Sequence, residues 1–329
     1  MTELLFPIRG EICSLHTECQ HRFLSQTDER PTGGLEPFDW LNLVRSETPD
    51  NSIPAKVRFS WKNNAAASVL CLSENEDLSD PQIFTTTENE FSVGNLKVGT
   101  TYYWSVNDSP VDSFVTEDEA PRFIAVDGIT NVRDSGGYVT ASGKKIKQGL
   151  LFRGSEMDTH CTITEKGIRT MREELGIRTD LDLRGEKEGL ISESPLGADI
   201  RFEFHPCCAY GDFLSYPETA KAIFDLLGDE TAYPIFYHCW GGADRTGTIA
   251  FLLSALLGVS DETLALDYEL TSLALWGSRN SQGELYQNFL ARLDADFPAA
   301  TRAEQAQSFL LACGVTNETL EKIRKIYLG

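Results

Sequence analysis

The stretch that most constrains this chain runs from residue 234 to residue 257. Pro234-Ile-Phe-Tyr-His-Cys239 is short and apolar, and Thr246-Gly-Thr-Ile-Ala-Phe-Leu-Leu-Ser-Ala-Leu-Leu257 is apolar almost all round a helix. Elements of this kind avoid water on every side, so they need layers above and below them. The pattern predicts an α/β domain with a central, mainly parallel sheet flanked by helices. Further strands are expected at 150–153 and 177–184. Helices are expected at 164–175 with Gly176 as C-cap, at 217–227 behind Pro217, and in a tail at 261–275, 283–293, 302–313 and 317–328.

Residues before about 118 follow a period of two. Val57-Arg-Phe59-Ser-Trp61, Ser68-Val-Leu-Cys-Leu72, Thr101-Tyr-Tyr-Trp-Ser-Val106 and Asp112-Ser-Phe-Val-Thr116 read as strands, with no helical period among them. Their spacing suits a small all-β sandwich, in which residues 20–52 would be an elaborated loop. The charged, proline-ended Thr116-Glu-Asp-Glu-Ala-Pro121 marks the expected boundary between a β-module, 1–118, and the α/β domain, 119–329. The module would pack on its neighbour or dock a partner.

The chain of 329 residues carries 50 acidic and 29 basic side chains, a formal net charge of -21. Such a field repels nucleic acid, which is excluded as a general partner. No apolar run approaches the roughly 20 residues that span a bilayer, so integral membrane association is not expected. Met1-Thr-Glu-Leu-Leu-Phe-Pro7 has no leader character, which points to the cytoplasm, or to an exported or periplasmic protein if a leader was removed. The 8 cysteines are too sparse for a disulfide scaffold and no pair has zinc-ligand spacing. Neither a metal nor a cofactor is expected.

Between the apolar strand and helix stands His238-Cys239-Trp240-Gly241-Gly242-Ala243-Asp244-Arg245-Thr246-Gly247. A loop leaving a strand and entering a helix turns successive amides towards one point, where the helix dipole adds positive potential. Residues 240–243 would cradle a phosphate, with glycines allowing close approach. Amides, dipole and guanidinium together favour a thiolate at Cys239, hence a nucleophile. Arg245 can grip two phosphoryl oxygens by its fork. The Thr246 hydroxyl is placed to support the departing thiolate, and His238 to brace the loop. The chemistry that results is attack of Cys239 on phosphorus, then hydrolysis of a cysteinyl-phosphate.

This signature resembles that of the bacterial cysteine-dependent tyrosine phosphatases, a dual-specificity-like family with phosphoinositide-active members. Asn131-Val-Arg133-Asp134-Ser-Gly136-Gly137-Tyr138, Leu151-Phe-Arg153-Gly-Ser155, Asp182-Leu-Arg184 and Asp267-Tyr268 are similar to its other motifs. The resemblance implies a phosphatase fold and makes Asp244, inside the loop, the general acid. Asp212, 27 residues before Cys239, is the alternative acid. Phosphoinositide-active members carry Lys before the loop Asp, where this chain has Ala243. The N-terminal strands resemble a fibronectin type III or immunoglobulin-like module, through Trp61 and Leu96-Lys-Val-Gly99-Thr-Thr-Tyr102.

Asp182 with Arg184, and Arg133 with Asp134, are expected as buried structural pairs. His205 is expected to be partly buried with a structural hydrogen bond, and Cys207 and Cys208 to be inert core cysteines, with a disulfide to Cys239 under oxidation as the alternative. Lys144-Lys145-Ile-Lys147 reads as a solvated hairpin tip. The leading function is a metal-independent protein tyrosine phosphatase acting on phosphorylated protein or peptide. An inositol-phosphate or phosphoinositide phosphatase is the alternative, and a non-catalytic phosphate-binding adaptor the second.

Overall fold

The computed structural model describes residues 2–25, 50–185, 188 and 192–329. Most of the expected 20–52 loop lies outside them. Its first residues are not loop: Glu18–Ser25 form helix α1, whose Gln20 and Phe23 are buried. The N-terminal strands are β1 (Glu3–Phe6), β2 (Ile12–Cys13), β3 (Val57–Lys62), β4 (Ser68–Ser73), β5 (Gln82–Thr86), β6 (Glu90–Val93), β7 (Thr101–Val106) and β8 (Asp112–Thr116). They form one sheet in the order β1-β3-β6 and another in the order β2-β8-β7-β4-β5. Alternate side chains of both sheets meet in one apolar cluster around Phe59, Trp61, Trp104 and Phe114. Tyr102 Oη accepts from Lys97 N at 3.0 Å, a corner of the kind that pins sandwich connections.

The third sheet has the order β12-β11-β13-β10-β9. Its strands are β9 (Arg133–Asp134), β10 (Leu151–Gly154), β11 (Thr179–Asp182), β12 (Arg201–Phe204) and β13 (Ile235–His238). All neighbours pair in parallel except β9, which is antiparallel to β10. Successive β13 side chains enter opposite cores: Ile235 and Tyr237 join one cluster, Phe236 the other. The sheet is therefore covered on both faces. Helix α2 (Glu165–Arg169) continues as a π-helical turn at Thr170–Glu174, where one regular helix was expected. The remaining helices are α3 (Tyr210–Phe213), α4 (Pro217–Leu227), α5 (Asp244–Leu256), α6 (Asp261–Glu269), α7 (Glu284–Asp296), α8 (Arg302–Ala312) and α9 (Asn317–Leu328). Nine of the 13 residues of α5 are buried, as its all-round apolar sequence requires. Among the described residues no helix is long and apolar enough to cross a membrane.

The two parts touch through residues 95–98. Asn95 O accepts from Arg122 Nε at 3.1 Å, its side chain bonds both polar groups of Ala125, and Gln148 brackets Val98. Lys145, in the expected hairpin tip, pairs with Asp118 rather than standing in solvent alone.

Arg133 and Asp134 are buried, but they do not pair with each other. Neighbours on a strand point to opposite faces, so Asp134 binds Arg122 at 3.1 Å while Arg133 Nε binds Asp267 Oδ1 at 3.1 Å. Register places Arg153 directly opposite Arg133, an unfavourable like-charge pair in isolation. Asp267, on α6, resolves it by also accepting from Arg153 Nη1 at 2.6 Å and from Tyr138 Oη at 3.1 Å.

Burial alone would raise the Asp267 pKa, but Arg133 and Arg153 outweigh it and hold the carboxyl down to about 2. A lowered carboxylate pKa stabilises the fold above the unfolded value, and that stability is lost as pH falls through the folded one. Asp267→Asn should cost roughly 3 kcal/mol at pH 7, because it leaves buried arginines short of a charge. In urea unfolding the deficit should be largest above pH 4 and narrow by about half near pH 3. A deficit independent of pH would contradict the assignment.

Candidate active site

β13 ends at His238 and α5 begins at Asp244, so Cys239 and residues 240–243 fill the turn between them. Three carbonyls of this turn are held from outside. Trp240 O accepts from Glu156 N at 2.9 Å, Gly241 O from Asn131 Nδ2 at 2.8 Å, and Gly242 O from Arg153 Nη2 at 2.9 Å. A trans peptide points its N–H opposite its C=O. The amides of Gly241, Gly242 and Ala243 are therefore directed away from these partners, into the loop. Gly242 has φ of +65° and a Cβ there would fall 2.3 Å from Gly154 O. At Gly241 a Cβ would press to 2.8 Å from the Trp276 ring. Both positions need glycine for closeness, and Gly242 also for its conformation.

Cys239 is 3% exposed at the base of the turn. Thr246, in the first turn of α5, is buried, and its Oγ1 has no hydrogen-bond partner among the described residues. The Trp240 ring meets His160 edge-on at 4.5 Å, and Ala243 is buried at the N-cap of α5.

His238 is wholly buried, with Nε2 3.1 Å from Asp180 Oδ1 and Nδ1 4.0 Å from Asp182 Oδ1. Burial opposes its charge, yet Asp180 and Asp182 prevail and raise its pKa above the ordinary histidine value. Arg184 is buried with Asp182, as expected, and it also binds Glu156 at 2.8 Å and Asp158 at 2.6 Å. Glu156 thus links this charge cluster to the loop through its own amide.

Arg245 follows Asp244 on α5 and its Nη1 pairs with Glu188 Oε2. Burial works against the guanidinium charge, but Cys239 and Glu188 outweigh it and raise the Arg245 pKa. Glu188 is correspondingly held below the usual carboxylate range, in spite of its partial burial. Asp244 accepts from Arg279 Nε at 2.9 Å and Nη2 at 3.0 Å, and from Tyr210 Oη at 2.5 Å. Asp212 is exposed and lines the same cavity of about 690 Å³ as Asp244, Arg245 and Cys207. The structure therefore brings both candidate acids to one opening.

His205 lies 3.3 Å from Glu203 and is partly buried. Burial first, then Cys239, push the Cys207 thiol up to about 12, and Cys208 Sγ is 3.3 Å from Tyr216 Oη. Sequence reading quoted Asn131 and Arg153 without giving them a task, and missed Glu156, Glu188, Tyr210 and Arg279 as partners. Arg153 inside a buried strand was the available signal, since a buried arginine must find acceptors. Nothing local marks Glu188 or Arg279.

A profile of the tyrosine phosphatase family matches residues 124–329. The chain belongs to this family. A candidate tyrosine-protein phosphatase of Cupriavidus necator is 27% identical over 174 residues, which cover 44% of this chain and 61% of that protein. A tyrosine-protein phosphatase of Nostoc commune is 26% identical over 133 residues, covering 33% of this chain and 45% of that one. The chain thus spans less than two thirds of the length of either relative. Among solved structures, the core catalytic domain of the PP-IP phosphatase SIW14 from S. cerevisiae, in complex with citrate, aligns with 53% of this chain and 94% of its own. That likeness has 15% identity and a TM-score of 0.34.

Glu188 and an incoming oxyanion would compete for one guanidinium. Replacing the carboxylate in Glu188→Gln should tighten orthovanadate binding by roughly twofold to fivefold, the scale of a partly exposed ion pair, as read by competitive inhibition. Weaker binding would instead make Glu188 the residue that holds Arg245 in position.

Proposed function

We propose that the chain is a metal-independent phosphomonoester hydrolase that works through a cysteinyl-phosphate, with phosphotyrosine in protein or peptide as its substrate. The observation that carries this reading is the turn 239–245. It combines a thiol, three loop amides freed by outward-held carbonyls, a helix N-terminus and Arg245. Cys239 Sγ attacks phosphorus as the P–O bond to the leaving group breaks, and the leaving oxygen takes a proton from a carboxylic acid. Water then displaces the sulfur, releasing phosphate, while the Thr246 hydroxyl donates to the departing thiolate. Asp244 is the proposed acid. Its oxygens are already engaged by Arg279 and Tyr210, so it must exchange one partner when substrate arrives.

The preference for a monophosphate rests on local charge. Besides Arg245, Arg292 lines the opening and Arg279 holds Asp244 beside it, and each is already paired, with Asp296 and Asp244 respectively. Ala243 offers no cation to a second phosphate. Residues 1–118 are proposed as a separate module of fibronectin type III type, supported by the shared core of its two sheets and the Tyr102 corner.

The purified chain should hydrolyse p-nitrophenyl phosphate in EDTA, and Cys239→Ser should remove at least about a thousandfold of that rate. Near wild-type activity in this variant would sink the proposal. With a poor leaving group, Asp244→Asn should lower kcat by roughly 10²–10⁴-fold. If only Asp212→Asn does so, the acid is Asp212. Faster turnover of inositol phosphates than of phosphotyrosine peptides would overturn the substrate assignment.

A further inference from the structure

We propose that His16, His21, Glu117 and Glu119 bind one divalent cation of the zinc class, at a structural site remote in sequence from the catalytic loop. One ligand atom from each residue lies within 4.8 Å of all the others. His16 stands between β2 and α1, His21 on α1, and the two glutamates directly follow β8. His16 is buried, whereas His21 and Glu119 are half exposed, giving an ion a route in from solvent.

The hydrogen bonding around His16 points to a ligand. Its Nε2 lies 2.9 Å from Pro121 O. A carbonyl can only accept, so Nε2 donates its proton there and coordination would fall to Nδ1. That atom is buried and makes no hydrogen bond among the described residues, although Glu117 Oε1 is only 2.8 Å away. Glu117 Oε1 accepts from the amides of Leu15 at 2.5 Å and His16 at 2.7 Å, and Ser14 Oγ lies 3.0 Å from it and 2.9 Å from His21 Nε2. A cation beside Nδ1 would satisfy that nitrogen and the carboxylate together.

The two carboxylates flank the His21 ring, one at each nitrogen. Glu117 Oε2 lies 3.4 Å from His21 Nε2, and Glu119 Oε2 lies 3.4 Å from His21 Nδ1. A metal-bound histidine commonly donates its second N–H to a backbone carbonyl, which is the arrangement of His16 and Pro121. Two imidazoles and two carboxylates suit zinc and its neighbours, whereas calcium and magnesium prefer oxygen alone. Two neutral imidazoles, two carboxylates and a divalent ion sum to zero charge, which relieves the run Glu117-Asp118-Glu119 in a chain of net charge -21. Bound there, the ion would tie β2 and α1 to the segment that enters the phosphatase-family region. No local sequence spacing marks the site, because its halves are about a hundred residues apart.

The test uses the full chain and zinc alone. Isothermal titration should show one equivalent bound, with a rise in Tm. His21→Ala and Glu119→Gln change half-exposed side chains, so both should keep the wild-type circular dichroism while losing at least roughly tenfold in zinc affinity. Cobalt substituted for zinc should show d–d bands without a thiolate charge-transfer band, separating this site from any binding by cysteines. No binding by the wild-type chain, undiminished affinity in both variants, or a thiolate band would each overturn the proposal.

Discussion

The placement of the turn between β13 and α5 depends on two like charges held face to face. Pairing of β9 with β10 sets Arg133 opposite Arg153, and only the carboxylate of Asp267 makes that register tolerable. Once satisfied, the two arginines become tools. Arg153 reaches Gly242 O, and Arg133 orients Asn131, which reaches Gly241 O. One side chain on α6 thus determines where two loop carbonyls point, and through them where the amides point. The price of burying three charges is met by mutual satisfaction, the condition under which such clusters hold a single geometry.

Electrostatics elsewhere follow the same economy. The chain is strongly acidic, yet each described arginine around the opening already has a carboxylate. Arg245 has Glu188, Arg279 has Asp244, and Arg184 has Asp182, Glu156 and Asp158. Positive potential is left to the backbone, in amides and a helix terminus, where it cannot be neutralised by a moving side chain.

Much of this was legible in the sequence because apolar periodicity reports burial directly. The β13–α5 unit, the mainly parallel sheet and α4 behind Pro217 follow from that signal, and so do the tail helices to within a few residues. Helix α1 escaped it: Glu18-Cys-Gln-His-Arg-Phe-Leu-Ser25 buries only Gln20 and Phe23, too little for a stripe. β12 escaped for a related reason, since no residue of Arg201–Phe204 is fully buried. The π-helical turn hides within an ordinary helical pattern. Charge partners were least legible. Adjacency in sequence favoured pairing Arg133 with Asp134, but strand alternation separates them, and Asp267 lies 134 residues from Arg133.

Chain order gives this frame a direction in time. Asn131, Arg153 and Glu156 leave the ribosome before Cys239, whereas Asp267 leaves after it. A nascent or prematurely terminated chain ending before α6 would carry the thiol without the carboxylate that reconciles the two arginines. The proposed nucleophile would then be present while the turn around it lacked its outward anchors. Synthesis from N- to C-terminus thus delays shaping of this turn until α6 has been made.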